Sequence, residues 1–294
     1  MARLFGKSSL RRTLRRPGRL VMSFAERFNS RLYLSLIYYR IRGRWPNFCK
    51  PSDISEIILS QILTGEINRF SQYADKLEVR KHLQAWGYDK YLPKLFGVWT
   101  SADDIELDSL PERFVLKTNH GCGVSLICVD KSKFDFDAAK HRLNQSIETE
   151  YDTYETQYHG IAPFVFAEEF VDEGTGLRPM DYKFMCCDGD VRCILLVAER
   201  FDSSYKLVTY DRAWQKLDYV VGSYLSSKIV EKPDNLEEML KIASDIASKF
   251  KQVRVDLYNV AGRIFIGELT FTPQGGQLTY FTDEAIRRLG SGND

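Results

Sequence analysis

The chain has 294 residues, 44% of them hydrophobic and 28% charged. That balance excludes a disordered chain and leaves room for one large domain or two modest ones. The net charge of +1 hides an asymmetry: residues 1–45 hold twelve Lys/Arg and one acid, which leaves the rest at −10, so a basic arm precedes an acidic body poorly suited to nucleic acid.

The opening stretch, "MARLFGKSSLRRTLRRPGRLVMSF", has no adequate apolar core and no small-residue cleavage site, so it does not read as a secretory signal. The six cysteines lack paired CxxC spacing, which argues against zinc. They read as reduced core residues of a cytoplasmic protein. Arg11, Arg12, Arg15, Arg16 and Arg19 would line one side of a surface helix, which Pro17 interrupts. Leu32, Tyr33, Leu34, Leu36, Ile37, Tyr38 and Tyr39 follow as an apolar, aromatic patch between Arg31 and Arg40. One reading is peripheral contact of residues 1–45 with the anionic inner face of a membrane. A solvated arm, or packing onto the body, is the other.

Residues 50–98 read as helical. Pro51-Ser52-Asp53 opens a helix that Gly65 ends, and "DKLEVRKHLQAWG" spaces Leu77, Val79, His82 and Leu83 at helical intervals up to Gly87. After Pro111 the texture changes to short β-branched and apolar runs: "RFVLK", "GVSLICVD", "FVFAEEFV", "DYKFMCCDGDVRCILLVAE" and "KLVTYD". "CDGDV" marks a hairpin turn. "NLEEMLKIASDIASKF" carries a clean helical face, and "RVDLYNVAGRIFIGELTF" closes as a hairpin turned at "NVAG". The order, helices first and then a mixed sheet with one late helix, predicts an α+β fold with a basic arm over 1–45 and a helical region over 46–110.

Several stretches carry chemistry. "VLKTNHGCGVSLICV" is a strand, a loop with Gly121 and Gly123, and a second strand. Glycines let a backbone approach a bulky ligand, and Lys117 adds positive charge at the strand end, a pattern suited to a phosphate chain. A plain β-turn explains the glycines equally well, and His120 reads as a loop residue. "AEEF" sets Glu168 and Glu169 at a strand end, as ligand groups or as a solvated end. Asp181 and Lys183 share a strand face by the period of two, and Arg200 closes the partner strand; a cross-strand salt bridge is the alternative there. Asp256 and Glu268 lie inside apolar runs on two strands joined by a turn, with Thr270 beyond the second. Charges in such places need a cation. Two acids and a hydroxyl suit Mg²⁺ with phosphate oxygens; an ion-pair network of Arg254, Asp256 and Glu268 suits them too.

In order, these motifs resemble an ATP-grasp protein, and are most similar to the TupA-like (teichuronopeptide-biosynthesis) branch found among bacterial surface-polysaccharide genes. The resemblance covers about residues 70–290. "ADKLEVR" resembles the family's Asp-Lys…Arg segment, which implies phosphate contacts for Lys76 and Arg80. "VLKTNHGCGV" resembles the loop covering ATP, which implies cofactor contacts for Lys117, Asn119, His120, Gly121 and Gly123. "AEEF" resembles the hinge strand that reads adenine, through Glu168, Glu169 and Phe170. The next strand pair implies Asp181 near ribose, and Lys183 and Arg200 near phosphate or substrate. "RVDLY…IFIGELTF" resembles the family's Asp…Glu-x-Asn metal motif. Asp256 and Glu268 match it, and Thr270 stands where Asn is usual, a departure that bears on a second Mg²⁺.

The resemblance thus implies two ATP-grasp subdomains, 111–172 and 173–294, sandwiching ATP with Mg²⁺. The implied activity is a ligase that joins a carboxylate to an amine through an acyl phosphate, which Arg254 would steady. Its implied substrates are an amino acid or small amine and a uronic acid of a capsule or cell-wall glycan. A kinase acting on a sugar hydroxyl, and a non-catalytic nucleotide-binding partner of a glycosyltransferase, are the alternatives.

Overall fold

The computed structural model describes residues 29–121, 124–149, 154–172, 174, 176, 178–201 and 204–291. The arginine-rich helix expected within residues 1–28, and Gly123, lie outside the described residues.

Two antiparallel sheets organise the chain. The smaller has four strands in the order β1-β4-β2-β3, formed by β1 (Leu95–Trp99), β2 (Phe114–Thr118), β3 (Ser125–Cys128) and β4 (Val165–Glu169). Phe114 and Leu116 of β2 and Val165 and Ala167 of β4 turn to one side of it. There they pack with Leu143 of a helix over Phe136–Ile147 into a small core of their own. The larger sheet has six strands in the order β10-β9-β5-β6-β7-β8. These are β5 (Asp181–Cys187), β6 (Asp190–Arg200), β7 (Tyr205–Tyr210), β8 (Lys216–Leu217), β9 (Gln252–Val260) and β10 (Arg263–Thr270).

Alternation divides the two faces of the larger sheet. Phe184 and Cys186 on β5, and Val253, Val255 and Leu257 on β9, point into the main core. That core is closed by helices over Leu236–Ala247 and Asp283–Ser291. The first buries Leu236, Met239, Leu240, Ala243, Ile246 and Ala247, the face its periodicity predicted. Asp181 and Lys183, and Arg254 and Asp256, have the opposite parity. Both predicted hairpin turns form, at Asp188-Gly189 and at Ala261-Gly262, where all four residues have positive φ.

Two boundaries differ from the sequence reading. The region taken as helical to residue 110 contains β1, which pairs with β4 and so belongs to the smaller sheet. "LFGVW" is short enough for its β character to be hidden behind the helical stretch before it. The basic arm is also shorter than 45 residues. Ser30–Arg42 is a helix, α1, whose Leu34, Ile37 and Tyr38 are buried. Arg42 is tied to the C-terminal segment by bonds to the carbonyls of Gln277 (2.9 Å), Leu278 (2.9 Å) and Phe281 (3.0 Å). Three of the seven residues of the aromatic patch are thus buried in the body. The helix expected from Asp53 to Gly65 forms as Ile54–Thr64, with Asp53 accepting from the Glu56 N–H at its N-cap.

Candidate active site

A cavity of about 410 Å³ is lined from both sheets, by Val115 and Lys117 on one side and by Asp181, Lys183, Leu195, Arg254 and Asp256 on the other. Its floor is a row of charge across three adjacent strands. Lys183 stands opposite Asp256, and Asp256 opposite Glu268.

Register explains how Glu268 joins that row. Ile264 and Ile266 face the core, and strict alternation would send residue 268 there too. A bulge between Ile266 and Glu268 inserts Gly267 and reverses the parity, so Glu268 faces the cavity and Leu269 returns to the core. A Cβ on Gly267 would stand 2.7 Å from the Tyr258 ring, so glycine lets that ring lie across the bulge. A second bulge, between Val197 and Glu199, does the same for Arg200, which pairs with Tyr205 and lines the cavity beside it.

The charges are closely matched. Lys183 Nζ lies 2.6 Å from Asp256 Oδ2, and Arg254 holds both Asp256 oxygens, at 2.6 and 2.7 Å. Burial alone would push the Arg254 guanidinium down, but the charge and hydrogen bonds of Asp256 outweigh it and hold it above its ordinary value. Asp181 pairs with Arg200 and lies 3.8 Å from Lys183. Burial would raise its carboxyl, yet those two cations keep it below the usual range. Glu268 is less committed: its one ion pair among the described residues is with Lys76, at 3.8 Å, and a third of its side chain is exposed.

Opposite this floor, Lys117 is hydrogen-bonded to Glu168, whose other oxygen takes Arg80 at 3.3 Å. Lys76 reaches the cavity from the helical region and donates to the Gly121 carbonyl at 2.9 Å, while its N–H donates to the Asn119 carbonyl at 3.0 Å. One residue thus fastens the start of the glycine loop twice.

Of the residues singled out in the sequence, Lys76, Lys117, Gly121, Glu168, Glu169, Phe170, Asp181, Lys183, Arg200, Arg254, Asp256 and Glu268 line this cavity. Four others sit behind its wall. The Arg80 guanidinium is spent on the Pro93 carbonyl (2.5 Å) and Glu168, so it braces Glu168. Asn119 is fully buried, donating to the Ala162 carbonyl and accepting from the Phe164 N–H, and serves as a loop staple. His120 is buried next to Ser146, its imidazole pushed down by burial and by Lys76. The Thr270 hydroxyl is buried and accepts from Arg254 at 3.0 Å. In each case the fold itself supplies a partner for the group.

Several lining residues escaped the sequence reading: Arg178, Tyr205, Tyr258, Gln274 and Tyr280. Tyr258 was within reach, two positions after Asp256 on the same face. Gln274 and Tyr280 come from the segment after β10, which returns to the cavity through tertiary structure alone.

The lining combines six cationic side chains with five acids, and an apolar stretch of Val115, Ile127, Phe170 and Val171. A polyanion with a flat base fits such a surface. Among the described residues no cluster of three or more His, Cys, Asp or Glu could hold a metal alone. Asp256 and Glu268, side by side, are hard oxygen donors that fit a divalent ion taking its remaining ligands from phosphate and water.

A model of the TupA-like ATPgrasp family matches residues 56–292. No curated protein matches the sequence. Among solved structures, a D-alanine–D-alanine ligase from Bacillus anthracis complexed with ATP is similar at 18% identity and a TM-score of 0.40, over 69% of this chain and 54% of that one. The ATP-grasp ligase PsnB, complexed with a minimal precursor, is similar at 13% identity and a TM-score of 0.39, over 74% of this chain and 59% of that one. The D-cycloserine synthetase DcsG is similar at 16% identity and a TM-score of 0.39, over 74% and 68%. The chain spans between half and two thirds of the length of the first two.

Proposed function

The chain belongs to the TupA-like ATP-grasp family, and on that premise we propose that it is an ATP- and Mg²⁺-dependent carboxylate–amine ligase. The observation that carries this reading is the row Lys183–Asp256–Glu268, aligned across three strands and facing Lys117 of the other sheet. With a divalent cation on its two acids, such a surface would neutralise a phosphate chain from both sides. Val115, Ile127, Phe170 and Val171 would take the base, and Lys76, Lys117 and Lys183 the phosphate oxygens. Asp256 and Glu268 would hold Mg²⁺, with Thr270 close behind. Bound there, Mg²⁺ would supply further neutralisation of phosphate charge.

In this reading the carboxylate oxygen bonds to the γ-phosphorus as the bond to ADP breaks. The amine nitrogen then bonds to the carbonyl carbon, phosphate leaves with the bonding pair, and the amine gives up a proton. Arg254 would face the acyl phosphate; its pairing with Asp256 fixes its direction. We place the carboxylate on a uronic acid and the amine on an amino acid or small amine, on the strength of the resemblance in motif order. The basic arm would bring the protein to an anionic membrane surface where a lipid-linked acidic glycan is presented.

The test incubates the protein with Mg·ATP, candidate uronic acids and hydroxylamine. Hydroxamate and ADP in equal amounts are expected. Phosphate found covalently on a sugar hydroxyl would replace this reading with a kinase.

A further inference from the structure

Two rungs of the β9–β10 hairpin stand side by side on the cavity floor. In one, Asp256 is directly opposite Glu268; in the next, Arg254 is directly opposite Thr270. Like charges that face each other across a strand pair are destabilising, so the first rung calls for a cation between its carboxylates. The second rung already contains a cation. Arg254 donates to the Thr270 hydroxyl at 3.0 Å and grips both Asp256 oxygens, through Nε at 2.6 Å and a terminal nitrogen at 2.7 Å. A bidentate pair of this kind is fixed in direction as well as strong.

Where phosphoryl chemistry uses two divalent ions, they lie about 3.5–4 Å apart. Rungs on one face of a strand repeat about every 7 Å, so a second ion beside the first would fall between these two rungs. The guanidinium occupies that space. The other approaches to Asp256 are closed as well. On the β5 side, Lys183 Nζ lies 2.6 Å from its Oδ2. Along the strand in the other direction the Tyr258 ring lies across the bulge, so near that a Cβ on Gly267 would stand 2.7 Å from it. The side left open to an ion is the one toward Glu268, whose side chain is a third exposed. Thr270, by contrast, is 8% exposed and sits behind the cavity wall, its oxygen already accepting from Arg254.

We propose that this hairpin holds a single divalent ion, between Asp256 and Glu268, and that the Arg254 guanidinium, steadied by Thr270, supplies the second positive charge of the site. The proposal rests on the ligase reading and fixes the number of ions that it uses. Thr270 is then a positioning residue that acts through Arg254, and no metal ligand. A guanidinium keeps its charge throughout the physiological range, so the site has to capture only one ion from solution.

The test mixes the full chain with an equal amount of a non-hydrolysable ATP analogue and titrates Mn²⁺, a paramagnetic stand-in for Mg²⁺ whose free form is counted by electron paramagnetic resonance. One Mn²⁺ per chain should be taken up. Glu268→Gln should weaken that uptake about tenfold or more. Thr270→Val, which removes the hydroxyl and keeps the shape, should leave it as in the wild type. With Mg·ATP, an acid substrate and hydroxylamine, Thr270→Val should lower the maximal rate of hydroxamate formation about tenfold and leave KM for ATP unchanged, because Arg254 has lost a support. Thr270→Ser, which restores the hydroxyl, should recover the rate. Two Mn²⁺ per chain in the wild type overturn the proposal, and this count stands whether or not a variant folds. Weaker Mn²⁺ uptake by Thr270→Val also overturns it, since Thr270 would then be a ligand. So does a Thr270→Val rate equal to wild type, since Arg254 would then need no support. If the analogue gives a melting shift and one Mn²⁺ is bound, but no hydroxamate forms, the ligase reading fails and the single-ion site stands. If the analogue gives no melting shift, both fail.

Discussion

Asp256 and Glu268 occupy facing positions, yet their surroundings differ. Asp256 is 3% exposed and bonded to Lys183 and Arg254. Removing its charge strands two cations in a poorly solvated place. Glu268 is a third exposed, and its one ion pair among the described residues is a long one with Lys76. A long, partly hydrated pair contributes little. Glu268→Gln should therefore cost under about 1 kcal/mol of stability without metal, while Asp256→Asn should cost about 3–5 kcal/mol. Both should abolish ADP release. The measurements are denaturant melts without metal and turnover with Mg·ATP. If Glu268→Gln keeps full, Mg²⁺-dependent turnover, Glu268 is no ligand. The sequence exposed both acids because carboxylates inside apolar runs stand out. It left the metal and ion-pair readings open, and the ion pairs of the two acids differ: Asp256 is bonded to Lys183 and Arg254, whereas the one ion pair of Glu268 among the described residues is the long one with Lys76.

At the scale of the strand, the site depends on two irregularities. Strict alternation is what makes a strand readable, and it placed Asp181 and Lys183 on one face, as the structure does. It fails at Glu268 and Arg200, because each lies just past a bulge that reverses the parity of everything after it. Gly267 was the visible sign of the first, as an isolated glycine in a strand often is; the second, in "VAER", has no such marker. Loop residues lie outside the reach of alternation altogether. Asn119 and His120 sit in a ligand-like motif, yet the fold uses them to hold the loop against Ala162, Phe164 and Ser146, partners remote in sequence. The bulge is open to test through Gly267→Ala. The added methyl would stand 2.7 Å from the Tyr258 ring, and Tyr258 has little room to retreat because it is wedged among Val171, Val260 and Phe265. Strain of that kind costs about 1–3 kcal/mol. Relieving it would disturb the bulge and rotate Glu268 away from Asp256, so the melting shift with Mg·ATP should shrink as well. Equal stability together with an unchanged nucleotide shift would show that the bulge tolerates a side chain and that Gly267 is not what sets Glu268 in place.

At the scale of the whole molecule, the strands could be read from the run of β-branched segments, but their division into two antiparallel sheets and the junction of the basic arm with the body could not. The patch from Leu32 to Tyr39 looked uniform in sequence. Helical geometry splits it: Leu34, Ile37 and Tyr38 enter the core, while Leu32 and Tyr39, seven residues apart, share the outward face. Trp45 stacks on Tyr39 at 4.8 Å and is 57% exposed, and Arg31 and Arg40 flank the stripe. The helix follows residues 1–28 in the chain, which hold eight basic residues and one acid. Among the described residues no helix is long and apolar enough to cross a membrane. Basic charge leading into exposed aromatic residues is the combination that binds an anionic lipid surface from one side. Each basic residue near such a surface contributes about 1 kcal/mol, and salt screens that attraction. The full chain should therefore sediment with vesicles containing phosphatidylserine at low salt and be released at high salt. Replacing Arg11, Arg12, Arg15, Arg16 and Arg19 by Gln should reduce sedimentation strongly and leave the Mg·ATP melting shift unchanged. Trp45→Ala should weaken what remains, and the remainder should resist salt, because that contact is apolar. If neither change alters sedimentation, or if vesicles of phosphatidylcholine alone bind as well as anionic ones, the arm and α1 do not form a membrane-binding face.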